Sequence, residues 1–238
     1  MSVILITGAG KGIGRAIALE FAKRKSEGFS PKLFLTSRTL SDLLSLKKEC
    51  EAMHVETHVL DAELSKMDDV ARIYESALSR FGRVDCLINN AGVGRFKSIL
   101  DLTEEDYDFT MNTNLKGTFF LTQKVFAEMQ ARQSGHIFFI TSVAAETPFE
   151  QSALYCASKF GQKGLVEVLR LYARKCKVRI TNVMPGAVAT PMWGEARETL
   201  SERMMMPEDI AKPIVEAYLQ PTRTCVEEIV LRPIGGDL

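Results

Sequence analysis

The stretch Ser2-Val-Ile-Leu-Ile-Thr7-Gly8-Ala9-Gly10-Lys11-Gly12-Ile13-Gly14 decides how the chain is read. Val3–Ile6 is an aliphatic run with no polar alternation, the pattern of a strand buried on both faces. A Gly-rich turn follows at once, and helical periodicity begins at Ile13. Strand, glycine turn and helix in that order make an anion site. Glycine lets the backbone turn sharply and approach a phosphate, while free N–H groups and the dipole of the helix start favour negative charge. Gly14 lets the helix pack close on the strand. Gly-rich strings also occur in plain turns, so the flanking elements carry the argument.

Outward from this stretch, short β-branched runs alternate with segments of helical period. Candidate strands are Val3–Ile6, Leu33–Thr36, His58–Leu60, Asp85–Ile88, Ile137–Thr141, Arg179–Val183 and Ile229–Leu231. Between them lie helix-like segments Ile13–Lys25, Leu40–Ala52, Met67–Phe81, Glu104–Arg132, Ala153–Cys176 and Pro207–Leu219. That order implies βαβ crossovers, hence a mostly parallel sheet with helices on both faces. The expectation is a Rossmann-type, doubly wound α/β fold with seven strands. No repeat, low-complexity tract or Pro/Gly/Ser linker divides the 238 residues, so 1–238 reads as one domain.

Composition narrows the classes. Hydrophobic residues make up 46% and charged residues 25%, which excludes a disordered chain. Thirty Lys+Arg balance thirty Asp+Glu, leaving no basic field for nucleic acid or an anionic membrane. Apolar runs such as Ile137–Ile140 fall far short of the ~20 residues a membrane span needs. The first residues lack a basic export-signal pattern, so the expected compartment is the cytoplasm. Five cysteines with no CxxC pair read as reduced thiols. His54 and His58 stand four apart, but in a segment that alternates like a strand, so no metal site is expected.

Cofactor choice is read at the end of the second strand. Sites for NAD place an acidic residue there, ~20 residues after the fingerprint, to hold the ribose 2′-hydroxyl. Here the strand ends Thr36-Ser37-Arg38, and Arg38 follows Gly14 by 24 residues. Its planar fork suits a phosphate, and Lys11 adds a second cation on the turn. Both point to a 2′-phosphate and therefore to NADP(H), against a reading as two solvated surface cations.

Tyr155-Cys-Ala-Ser-Lys159 sets a phenol and an ammonium four residues apart, on one helix face. Five tyrosines and fifteen lysines make one such pair unremarkable alone. Its chemical use is electrostatic. A phenol of pKa ≈10 is a reluctant acid at neutral pH, and a cation ~4 Å away at an effective dielectric of ~20 contributes up to ~4 kcal/mol toward lowering it.

With these residues in view the whole chain resembles the short-chain dehydrogenase/reductase family. The matching elements are Thr7-Gly8-x-x-x-Gly12-x-Gly14, Asn89-Asn90-Ala91-Gly92, Asn114, Ser142, Tyr155-x-x-x-Lys159 and Pro185-Gly186-Ala-Val188-Ala-Thr190. Segments such as Asn114–Gln123, Leu171–Cys176 and Glu227–Pro233 carry a nearer likeness to the bacterial sepiapterin-reductase branch of that family.

The resemblance implies carbonyl reduction by NADPH without a metal. Tyr155 would give the proton, Ser142 would hold the carbonyl oxygen, and Lys159 would lower the Tyr155 pKa and hold the nicotinamide ribose. Asn114 would position a water that passes protons to Lys159. Gly8, Gly10, Lys11, Gly12, Ile13 and Gly14 would cradle the phosphates with Arg38. Asn90, Ala91 and Gly92 would line the adenosine ribose, and Pro185, Gly186, Val188 and Thr190 the nicotinamide. The family pattern after the third strand fits Glu63-Leu64-Ser65, so Glu63 is favoured to meet the adenine amino group, with Asp61 as the other candidate. Gly10 stands where many relatives have serine.

Substrate selection would fall to a lid at about 190–207. Trp193, the only tryptophan, is placed to stack on a flat heteroaromatic such as a pterin, or to pack the lid. Asp237 would pair with a guanidine-like pterin edge, or belong to a frayed polar tail. Leu115, Phe119, Phe126 and Met129, widened by Phe120, form one apolar stripe, and Phe160, Leu165, Val168 and Tyr172 another. One face of each helix must cover the sheet. The apolar excess, with family habit, implies a homodimer or homotetramer. The expected activity is reduction of a small carbonyl substrate, a pterin side-chain ketone first. The alternatives are a 3-oxoacyl thioester, sugar or steroid reductase, or a non-catalytic NADP-binding protein.

Overall fold

The computed structural model of the chain describes residues 1–238. It contains seven strands: β1 (Ser2–Thr7), β2 (Pro31–Ser37), β3 (Thr57–Asp61), β4 (Cys86–Asn89), β5 (Gly135–Ile140), β6 (Val178–Pro185) and β7 (Glu228–Leu231). They form one parallel sheet in the order β3-β2-β1-β4-β5-β6-β7. All seven expected strands are present, each extended by a residue or two or shifted at its ends. Strand order reverses between β1 and β4, so the carboxyl ends of these two strands flank an open crevice, where doubly wound folds bind ligands.

Strand β1 shows why the run Val3–Ile6 has no polar break. Ile4 and Ile6 pack with Ile17, Phe21 and Ile214 on one face, and Leu5 packs with Ile73, Leu121 and Val125 on the other. Helices α1 (Gly12–Lys23), α2 (Leu40–Ala52) and α8 (Pro207–Leu219) cover the first face. Helices α3 (Met67–Phe81), α5 (Thr118–Ala131) and α6 (Ala153–Ala173) cover the second. A short α7 (Ala196–Leu200) lies within the segment before α8. No helix is long and apolar enough to cross a membrane.

Two expectations are corrected. The segment Glu104–Arg132 is not one helix. It divides into α4 (Glu104–Met111), which starts with a capping box between Thr103 and Asp106, a π turn at Asn112–Gly117, and α5. The turn brings Gly117 against β3's following loop so closely that a Cβ there would lie 1.9 Å from the carbonyl oxygen of Leu64. The second correction concerns α6. It covers the sheet with Val166, Leu169 and Ala173, and Leu165 of the expected stripe packs partly buried on the same core, while Phe160, Val168 and Tyr172 face outward with Leu171. The inward face begins with polar residues, so apolar periodicity alone favours the outer side for three of the four residues. Phe119 and Phe120 of α5 are also exposed, beside a buried Phe126 and Met129.

Candidate active site

A cavity of about 970 Å³ occupies the crevice at the carboxyl ends of the strands. It runs from the Gly-rich turn and Arg38, past Glu63 and Leu64, to Ser142, Tyr155 and Lys159, and on to Trp193 and Asp237. Every residue singled out for site or cofactor from the sequence lines it except Gly14 and Asn114, which stand one layer behind, and Asp61, the second candidate for the adenine. Gly14 lies under the turn, where a Cβ would meet the Gly8 carbonyl oxygen at 2.5 Å. Gly8 has φ +64°, and a Cβ on it would lie 2.8 Å from Ala91 Cα, so turn and β4 end touch backbone to backbone.

Asn90 stitches this contact. Its Nδ2 donates to the carbonyls of Thr7 (2.9 Å) and Gly8 (3.1 Å), while Thr7 Oγ1 accepts from the backbone N–H groups of Asn90 (3.1 Å) and Ala91 (3.0 Å). The Asn90 amide thus fixes the shape of the turn.

At the β2 end, Arg38 is exposed and forms no ion pair, whereas Lys11 pairs with Asp42 at 3.3 Å. The buried hydroxyls of Thr36 and Ser37 have no hydrogen-bond partner, and both residues face the cavity. A Cβ at Gly10 would stand 2.9 Å from Ser37 Oγ and 3.2 Å from Asp42 Cβ, so the close approach of β2 explains glycine at this position. Glu63 reaches the cavity wall and Asp61 does not. The Glu63 carboxylate hydrogen-bonds Lys66 (2.8 Å), which holds its pKa below the ordinary value. Free backbone N–H groups, unpartnered hydroxyls and an unpaired guanidinium in one groove are the donor set a phosphorylated dinucleotide requires. The residues fit NADP(H).

The opposite end is built on α6. Lys159 is buried, and its Nζ donates to the Ile140 carbonyl (2.9 Å) and Gln162 Oε1 (3.0 Å). Burial pulls its pKa down to about 7. The ammonium lies 5.6 Å from the Tyr155 ring centre. Tyr155 is half-buried on the wall, and desolvation pushes its phenol up, with the Ser142 hydroxyl beside it acting in the opposite sense. Burial thus dominates both groups, where the sequence alone suggested that the cation governs the phenol.

Ser142 Oγ accepts from Ala144 N–H (3.1 Å) and donates to the Pro185 carbonyl (3.4 Å), which ties the end of β5 to that of β6. Asn114 sits in the π turn. Its Oδ1 accepts from Val93 N–H (2.8 Å), and its Nδ2 donates to the Val93 carbonyl (2.8 Å) and Ser158 Oγ (2.9 Å).

At the third wall, Trp193 is half-buried in a 3₁₀ turn (Pro191–Trp193) and packs against Ala187, Ala189 and Met204, as do Leu200 and Leu238. Asp237 is tied to Arg232 at 3.1 Å. Among the wall residues that escaped the sequence reading are Arg95 and Phe96. The Phe96 ring lies 5.5 Å from that of Tyr155, and Arg95 stacks its guanidinium 4.0 Å from the Phe109 ring. Gly94 leaves room for this ring, since a Cβ there would come within 2.7 Å of Phe96.

Comparison with known proteins agrees with this architecture. A family model described as short chain dehydrogenase matches residues 2–201. A sepiapterin reductase of Chlorobaculum tepidum is 62% identical over 238 residues, which cover 99% of this chain and 98% of the relative. The crystal structure of a metagenomic short-chain oxidoreductase in complex with NADP aligns with a TM-score of 0.85 at 30% identity, over 98% of this chain and 96% of that one. An alcohol dehydrogenase from the archaeon Thermococcus sibiricus, complexed with 5-hydroxy-NADP, aligns with a TM-score of 0.89 at 27% identity, over 98% and 97%. The chain belongs to the short chain dehydrogenase family and is an oxidoreductase of CH–OH and C=O groups.

Proposed function

We propose that the chain is an NADPH-dependent carbonyl reductase whose substrate is a pterin with a side-chain ketone, the activity of a sepiapterin reductase. The observation that carries this reading is the meeting of Tyr155, Ser142 and Lys159 on one cavity that also contains Trp193, in a chain 62% identical to a sepiapterin reductase. NADPH, when bound, supplies the reducing equivalent for the carbonyl carbon.

The residues of this chain bind and orient. Arg38 and Lys11 hold the 2′-phosphate, which requires Lys11 to leave or share Asp42. Backbone N–H groups of the turn from Gly8 to Ile13 take the pyrophosphate. Asn90 to Gly92 line the adenosine ribose, Leu64 packs at the adenine, and Glu63, which reaches the wall, accepts from its amino group. Pro185, Gly186, Val188 and Thr190 line the nicotinamide.

Ser142 donates a hydrogen bond to the substrate oxygen as negative charge grows there. Tyr155 releases its phenolic proton to that oxygen, and the Lys159 ammonium stabilises the phenolate that remains. Asn114 fixes the π turn behind Lys159. Trp193 stacks on the pterin, with residues 190–207 forming a lid, and Asp237 exchanges Arg232 for the pterin N–H edge. The exposed apolar faces of α5 and α6 support a homodimer or homotetramer.

The test is NADPH oxidation with sepiapterin, diacetyl and an acetoacetyl thioester as competing substrates. The expected order gives sepiapterin a kcat/KM about tenfold or more above the others. Preference for the thioester would overturn the pterin assignment, and no turnover with any carbonyl would overturn the reductase.

A further inference from the structure

Tyr155, Ser158, Lys159 and Gln162 stand at offsets that share one helical face of α6. Ser158, Lys159 and Gln162 are all buried, and the same face continues into the apolar core as Val166, Leu169 and Ala173. Gln162 is therefore the innermost polar residue of the stripe, closed off from water. Both ends of its amide are nevertheless satisfied. Oε1 accepts from Lys159 Nζ at 3.0 Å, and Nε2 donates to the main-chain carbonyl of Asn114 at 2.6 Å. Chemistry fixes this orientation. An ammonium only donates and a carbonyl only accepts, so the flipped amide would oppose donor to donor and acceptor to acceptor.

The remaining anchors of this group are also rigid. The Ile140 carbonyl on β5 takes a second proton of Lys159, and Asn114 is held by its side chain to Val93 and Ser158. Gln162 is the sole side chain that joins the ammonium to the π turn. We infer that Gln162 is a positioning residue: its amide braces the Lys159 ammonium against the Asn114 carbonyl, and so sets where that charge stands relative to Tyr155. The inference rests on the proposed roles of Tyr155 and Lys159. An amide does not readily shuttle a proton, so Gln162 holds the cation and does not relay.

No charged side chain acts on Lys159. The groups that face it from β5, the π turn and the loop at Gly92 are uncharged, and its titratable neighbours on α6 are Tyr155 and, beside that phenol, Cys156. Gln162 Oε1 is thus one of two acceptors that stabilise the charged form inside the protein. Removing it should lower the titration midpoint of Lys159, and replacing it with a carboxylate should raise it.

The experiment follows the 13Cε resonance of Lys159 with pH in lysine-labelled protein, assigned by its disappearance in Lys159→Met. Gln162→Met, which keeps the volume, is expected to move the midpoint down by about half a pH unit or more. Gln162→Glu is expected to move it up. In the NADPH-dependent reduction of sepiapterin, Gln162→Met should lower kcat about tenfold, and Gln162→Glu should recover part of that loss.

An unmoved midpoint with kcat within about twofold of the parent in Gln162→Met would overturn the inference. Should Gln162→Met not fold, Gln162→Glu decides alone, and a midpoint unchanged or lowered there would overturn it. If the parent protein reduces no carbonyl, the functional reading fails while the resonance titration still decides the role of Gln162.

Discussion

Lys159 and Asn114 are buried with their polar atoms partnered, whereas Trp193 is half-buried and Asp237 is exposed, with one ion pair to Arg232. These two ends of one cavity are built by different means. The end around Lys159, where proton transfer is proposed, is assembled from β5, β6, α6 and the π turn, joined by hydrogen bonds from Lys159, Gln162, Asn114 and Ser142. The end around Trp193, where substrate is proposed to bind, is a run of short turns that packs on a three-residue satellite of the core, Ala187, Ala189 and Met204. Proton transfer tolerates little displacement, so groups fixed from several directions suit the proposed role. Recognition of a flat ring, as proposed for Trp193, needs area, which one side chain can supply.

The contrast is broken most sharply at Tyr155. Tyr155→Phe is expected to lower kcat by about 10³-fold while the Kd for NADPH stays within about threefold, measured by cofactor fluorescence. More than about a tenth of the activity retained would remove the phenol from the reaction. At the cofactor end, Arg38→Ala should raise the Kd for NADPH by about 10- to 100-fold and that for NADH by less than about twofold. Equal changes would show that Arg38 does not meet a 2′-phosphate. Trp193→Ala sharpens the comparison from the other side: KM for sepiapterin should rise about fivefold to tenfold, with diacetyl nearly unaffected. If both substrates suffer alike, the indole packs the turn and does not stack on substrate.

The smallest effect is on stability. The folded state holds the Lys159 pKa near about 7, against an ordinary 10.5. Between those values the unfolded chain binds more protons, so stability rises with pH, and the cost of burying the cation is felt in full below about 7. Lys159→Met should therefore raise Tm by a few degrees at pH 6, with the gain shrinking as pH climbs toward 10. A gain independent of pH, or a loss at pH 6, would contradict the assigned desolvation.

Much of this was legible in the sequence because it is local. The strand, turn and helix at Ser2–Gly14 lie in one short segment, and Tyr155 and Lys159 share a helix face by spacing alone. What escaped depends on distant parts of the chain. The break at Asn112–Gly117 is tied to a carbonyl on Leu64, far upstream, and the weak helix formers Asn112, Thr113, Asn114 and Gly117 do not by themselves place it. Phe96 sits in a loop with no periodicity, and only chain closure brings its ring against Tyr155. Gln162 continues the Tyr155–Lys159 face, but a lone amide in a helix carries no chemical signature until its two partners are seen. The outward turn of Phe160 and Tyr172 was hidden because the inner face of α6 is polar where it meets the cavity.

The contact between Gly117 and Leu64 works as a spacer. Leu64 lies where the adenine is proposed to rest, and Gly117 closes the turn that carries Asn114. Backbone abuts backbone there, so the span between the two stations of a long ligand is gauged by the protein before any ligand arrives. One methyl group inserted at that seam would press on Leu64 and Asn114 together, although it would touch neither a phosphate nor a ketone.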